Sequence, residues 1–354
     1  MAWYDPSWSG RHKISTNPQC VFTEASGFPL YYPLSAAPNS FWENVKSDGS
    51  DIVITLGDGV TKLPRELVTI DASGKTGEIH FKTEGLSTVS QTSFYIYYGN
   101  PGASETNDTD VWISQYEGVW HLHRDIGDIC PDSTSNGNDG TPTALVSTID
   151  GKIGSGQYFP GGTSVVNPAQ YIALDSAIDF LDDTEWGFSY WFNQVEDSNE
   201  DMSIGDTREG FSRAHHVIGG DGWSIFRIHV KDGEGGNHDF DPGIETRGSW
   251  HHVVITCNGE DTNNLRCYFN GELTADSPAN LTNLTAMGID AIGRGINFDQ
   301  EYYAWNGGLD EVRVFSSSLD ADWIRTEYYN QARIAEFWGL RVSTGNTIWF
   351  GSMF

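Results

Sequence analysis

The chain has 354 residues, 38% of them hydrophobic, 13% aromatic, with 13 Trp, which is enough for two packed cores and excludes an intrinsically disordered protein. A formal net charge of −29 repels phosphate backbones and anionic membranes, so nucleic acid is excluded as a partner. No run approaches the ~20 apolar residues of a membrane span, and "MAWYDPSWSGRHKI" lacks the apolar stretch of a secretory signal, so membrane insertion is not expected.

In chain order, "HKIST", "DIVITL", "RELVTID", "GEIHFKTE" and "SFYIYYG" alternate apolar and polar residues between Gly, Asp and Ser clusters. That pattern predicts antiparallel strands. The polar link "YYGNPGASETNDTD" closes this first domain, taken as residues 1–108. From 109 to 335 the same style continues through "GVWHLH", "GQYFPGG", "WGFSYWFNQ", "WSIFRIHV", "WHHVVITCNG", "LRCYFNGEL", "AIGRG" and "GLDEVRVFS". Many short, evenly spaced strands predict a β-sandwich. One late helix is expected in "SLDADWIRTEYYNQA", capped by Ser318, with Leu319, Trp323 and Tyr329 on one face. Residues 336–354 form a separate aromatic tail, including Phe337, Trp338, Leu340, Ile348, Trp349, Phe350 and Phe354. So apolar a tail is expected to be covered, by a neighbouring molecule in preference to its own chain.

The four cysteines, Cys20, Cys130, Cys257 and Cys267, have the spacing of no zinc module. Cys257 and Cys267 flank a hairpin turn, and a disulfide and free thiols both stay open.

The first third of the chain, through "WYDPSWSGRHKI", "SDGSDIVIT", "KLPREL" and "FYIYYGNPGA", resembles domain-of-unknown-function family 2341. The rest resembles the laminin-G-like branch of the concanavalin A-like lectin/glucanase superfamily, through "GVWHLH", "DSTSNGNDGTP", "DGKIGSGQYFPGG", "FSYWF", "WHHVVITCNG", "CYFNGEL", "AIGRG" and "GLDEVRVFSSSLDADWI". The resemblance implies a jelly-roll of two antiparallel sheets, a fold that serves binding modules and enzymes alike. The expected class is all-β, with one short late helix.

The same resemblance implies structural calcium, held by Asp132, Asn136 and Asn138 of the acidic loop with Asp310 from the "DEV" strand, and Asp139 spare. Calcium takes six to eight oxygens in irregular geometry, which such a loop supplies. The alternative is a plain Asx turn, with Asp310 buried against backbone amides. Ser135 stands where the family usually has Gly, so a positive φ there would be strained.

For catalysis, a retaining glucanase needs two carboxylates ~5–5.5 Å apart, usually from alternate residues of one strand. No stretch has that spacing, and no nucleophile elbow, P-loop or dinucleotide fingerprint occurs, so no catalytic residue and no enzyme is expected. His121 and His123 would share a strand face, which suits a metal, but their place in the first sandwich strand favours packing. Tyr302, Tyr303 and Trp305, with Trp223, are the candidate glycan contacts, as aromatics set among acids and amides. The opposing reading makes Trp305 a core residue and the tyrosines a hairpin tip.

These observations predict a non-enzymatic lectin-like protein of a virion surface, a capsid decoration or tail appendage. Its partners would be capsid or tail proteins, copies of itself through the tail, and cell-surface glycan. A cellular glycan-binding adhesin on a bacterial surface, or an extracellular one, is the alternative, and a glycoside hydrolase a distant one.

Overall fold

The computed structural model describes residues 2–123, 128–161, 170–180, 185–194, 204–205, 213–218, 226–231, 237–240, 248–259, 263–274, 287–296 and 302–340. In the first segment, strands Gly10–Ser15, Ser93–Tyr98, Val53–Leu56 and Lys62–Leu63 make one antiparallel sheet in that order. Strands Pro29–Pro33, Thr76–Lys82 and Arg65–Asp71 make a second. The period of two sorts the side chains. Phe94, Ile96 and Tyr98 enter the core together with Leu30, Tyr32, Ile79 and Phe81. Tyr95 and Tyr97 instead take the other face of the sheet, buried with Trp8 and Val53, and Arg11 lies 4.2 Å over the Tyr95 ring.

The sandwich is built on an eight-stranded sheet. Its central strands are Asn306–Phe315, Glu185–Gln194 and Trp250–Asn258, with Tyr116–Trp120 paired to the far half of Asn306–Phe315. The facing sheet contains Ile204–Gly205, Met287–Ile292, Ile172–Phe180 and Gly140–Pro142. Trp186, Phe188, Tyr190 and Phe192 alternate along one strand into the space between the sheets, where they meet Ile172, Ile178, Phe180 and Ile289.

The other face of the large sheet is buried too. Val254, Tyr268 and Phe315 point out of the sandwich and join the core of the first segment. The helix Ala321–Ala332 lies over this face. Trp191 donates its indole N–H to Gln331 on the helix, and the Trp323 ring sits 4.7 Å from Phe28. Asn330 pairs with the backbone of Tyr31 through both ends of its amide, at 2.8 and 2.9 Å. Residues far apart in the chain thus share one core.

Two expectations are corrected, and one left open is decided. The helix cap is Asp320, whose carboxylate accepts from Trp323 N at 2.7 Å. Ser318 is held instead by the Thr256 hydroxyl, at 3.0 Å. Phe337 and Trp338 of the tail do not await a neighbour: they are buried on their own first domain. Trp338 donates its N–H to Tyr31 O at 3.0 Å, and Phe337 O accepts from Asn17 N at 2.7 Å. The remainder of the tail, 341–354, lies outside the described residues. All four cysteines are free and buried. The hairpin register sets Cys257 opposite Leu265 and Cys267 opposite Ile255, two positions out of step.

Candidate functional site

The acidic loop continues from strand Tyr116–Trp120, and Asp132 organises it. One carboxylate oxygen accepts from Val119 N and Thr134 N, both at 3.0 Å. The other accepts from Thr134 Oγ1 and Asn138 N, both at 2.9 Å. Four donors use the four lone-pair positions of a carboxylate, which leaves Asp132 none for an ion. The Asn138 amide pairs with Ser176 N and O, both at 2.8 Å, and Asn136 donates to Glu117 O at 3.0 Å. Asp310 is directed elsewhere, accepting from Ile153 N at 2.8 Å and Glu311 N at 2.9 Å. Of the four residues expected to hold calcium, Asp132, Asn138 and Asp310 thus accept hydrogen bonds from neighbouring donors. Gly137, not Ser135, carries the positive φ of the loop, at 63°.

Asp132→Ala is expected to lower stability by about 2–4 kcal/mol, the loss of several bonds to a charged acceptor. Chemical unfolding in calcium and in chelator checks it, and the loss should be the same in both.

The loop forms one wall of a groove of about 750 Å³, bounded by Glu117, Asn136, Ser176, Asp179, Glu185 and Ser316 over Ile178 and Phe180. Its lining mixes carboxylates, an amide and hydroxyls above buried apolar side chains, a combination suited to a polyhydroxylated molecule. Trp305, one of the expected glycan aromatics, does not line it. Trp305 is fully buried, donates its N–H to Gly308 O and meets Phe192 edge-on, so it is a core residue and cannot stack on a sugar. Tyr302 and Tyr303 lie in strand Tyr302–Ala304, with side chains outside the described residues, as is Trp223.

A second constellation lies where the first domain meets the sandwich. Glu78 and His80, two apart in strand Thr76–Lys82, present neighbouring side chains on one face. Across from them are His121, just past strand Tyr116–Trp120, and Glu311 from strand Asn306–Phe315. Glu311 sits at an irregularity of the ladder with φ 51°, a strained backbone for a residue with a side chain. Leu122, beside His121, has φ 56°. His121 Nδ1 is 2.6 Å from Glu311 Oε1 and 3.5 Å from Glu78 Oε1, and His80 Nε2 is 3.0 Å from the same Glu78 oxygen. His121 Nε2 faces Glu66 Oε2 at 3.3 Å, and Glu66 also accepts the Trp112 indole N–H at 2.7 Å. Arg313 bridges Glu311 at 2.7 Å and Glu327 at 2.9 Å.

Burial governs the charges here. It disfavours an imidazolium at His121, but Glu311 and Glu66 beside it outweigh that and raise its pKa well above the usual histidine range. For His80, burial and then the His121 charge bring the pKa down to about 3. Burial opposes ionisation of Glu66, yet contact with His121 holds its pKa at about 2. Glu78 is pushed well up, by burial first and the Glu311 charge second. Together Glu78, His80, His121 and Glu311 place one donor atom each within 4.8 Å of one another, so this buried cluster could hold a metal ion. Of these, the sequence reading weighed His121 alone, paired with His123 and assigned to packing; Glu78 and His80 carry the one available signal, an acid and a histidine two apart in a strand.

Residues 167–325 match the family described as the Concanavalin A-like lectin/glucanases superfamily. Residues 48–124 match a domain of unknown function, DUF2341. The chain thus carries a DUF2341 domain followed by a concanavalin A-like domain. None of the curated proteins matches this sequence. Among solved structures, the chain is similar to domain 4 of AbnA, a GH43 extracellular arabinanase from Geobacillus stearothermophilus, in complex with arabinotriose. That match has 18% identity and a TM-score of 0.44, over 60% of this chain and 98% of that one. The binding domain of botulinum neurotoxin serotype D is 14% identical, with a TM-score of 0.42 over 61% of this chain and 52% of that one. For the binding domain of Paraclostridial Mosquitocidal Protein 1 the values are 15% and 0.42, over 60% and 52%. The chain therefore spans about half the length of these last two.

Proposed function

We propose that this protein is a non-enzymatic, lectin-like surface module that holds a glycan in the groove beside the 136–138 loop. The observation that carries the reading is the groove itself, with carboxylates of Glu117, Asp179 and Glu185 and the hydroxyls of Ser176 and Ser316 on its rim. Hydroxyl-rich ligands are recognised by such fixed acceptors and donors. Its setting is a virion surface, where the chain decorates a capsid or tail and meets partner proteins through residues 341–354. A cellular adhesin uses the same groove, and particle proteomics separates the two. The calcium implied by the loop's resemblance would have to draw on the groove carboxylates, since Asp132 is committed to its own loop.

A glycan array followed by titration with the strongest ligand tests the reading. Asp179→Ala or Glu117→Ala should weaken binding about 10–100-fold, the loss of a hydrogen bond to a charged group, with unfolding unchanged. The protein should release no reducing ends from the bound polymer. An array without ligands, variants that bind as well as the parent, or polymer cleavage would each overturn it.

A further inference from the structure

We infer that Glu78, His80, His121 and Glu311 form a structural site for a first-row divalent metal ion, zinc foremost, that fastens the first domain to the sandwich. Two ligands come from each side of the junction, and a Glu-x-His pair in a strand sets its two donors on one face. Two imidazoles and two carboxylates are a mixed nitrogen–oxygen set, which suits zinc and its neighbours better than calcium or magnesium. Tetrahedral zinc, with ligands at ~2.0–2.2 Å, separates its donor atoms by ~3.3 Å. The contacts of 2.6, 3.0 and 3.5 Å bracket that spacing.

Two independent observations point to a missing ligand. First, Glu78 Oε2 has no hydrogen-bond partner among the described residues, although Glu78 is 2% exposed. An orphaned buried polar atom is costly, and an ion at the centre of the four can recruit it. Second, acids crowd the junction. Glu66, Glu78, Asp310, Glu311 and Glu327 are five buried acidic side chains in one connected neighbourhood, with Arg313 and the His121 imidazole as the buried bases in contact with them. A dication between His121 and Glu311 would take the place of the hydrogen bond they share. The outer contacts are already in place. Glu66 holds the far nitrogen of His121, and Arg313 holds the second oxygen of Glu311. Partners of that kind orient metal ligands and sharpen their basicity.

The test uses the full chain, refolded or expressed with Zn2+, desalted, and assayed for metal. One zinc per chain is expected, and stripping it with a chelator should lower the melting temperature by roughly 5–10 °C. Co2+ in its place should give the visible absorption of a four-coordinate site. Glu78→Gln and His80→Gln should abolish stoichiometric metal, whereas His251→Gln should keep it. Should the variants fail to fold, X-ray absorption on the parent protein decides: two imidazoles and no sulfur in the shell are expected. A folded chain that takes up neither Zn2+ nor Co2+, ligand variants that retain the metal, or a sulfur shell from the cysteines would overturn the inference.

Discussion

Replacing Glu327 by Gln is expected to lower the free energy of unfolding by about 3–5 kcal/mol at neutral pH, the cost of breaking a buried ion pair from one side. Glu327 is buried on the helix that covers the large sheet. One of its oxygens accepts from Arg313 Nη1 at 2.9 Å and from Ser189 Oγ at 3.2 Å. Burial alone would raise its pKa, but Arg313 and then His252 more than compensate and lower it. A carboxylate whose folded pKa lies below its unfolded one contributes stability above the unfolded value, and that contribution is lost as pH falls through the folded value. The difference between parent and variant should therefore shrink as pH drops below about 4.5. Denaturant unfolding at several pH values measures it. A difference that stays constant with pH would show that Glu327 acts by shape and not by charge.

Trp338→Ala should cost about 3–5 kcal/mol, as for other large aromatic side chains removed from a core. Its ring is 5.3 Å from Tyr32 and 6.2 Å from Phe81, and its N–H is the donor to Tyr31 O. Equilibrium unfolding checks the cost, and mass in solution should be unchanged, because the contacts of Trp338 are within its own chain. A stable variant with altered mass would return this residue to an intermolecular role.

Much of the architecture is readable in the residues, because a period of two is a local property. "WGFSYWFNQ" alternates its large side chains into the sandwich, and "SFYIYYG" does the same in the first domain. The helix could be located but not its first turn. Ser318 and Asp320 both have capping chemistry, and the choice depends on Thr256 taking Ser318, a strand residue 62 positions earlier. Trp305 misled for a related reason. Aromatics among polar residues describe a sugar platform and a hairpin tip equally well, and packing against Phe192 decides between them.

The buried cluster was the least legible part. His121 and Glu311 are 190 positions apart, and His121 and Glu66 are 55 apart. Nothing local joins them; the meeting of the two domains does. The backbone at Glu311 adds a second obstacle. Regular alternation separates neighbouring acids onto opposite faces, but the ladder irregularity and φ of 51° re-aim Glu311 toward His121.

The pairing of Asn330 with Tyr31 spans 299 positions, and that of Trp338 with Tyr31 spans 307. On a ribosome, the strand Pro29–Pro33 therefore emerges long before the groups that cover it. At ~5–20 residues per second, the interval is roughly 15–60 s. Through that time Phe28, Tyr31 and Tyr32 belong to a nascent domain that lacks Trp323, Phe337 and Trp338 from its core. Cotranslational folding can begin the first domain but cannot finish it. Residues 321–338 close both halves at once, so a chain that terminates before them exposes the oldest part of the molecule rather than the newest.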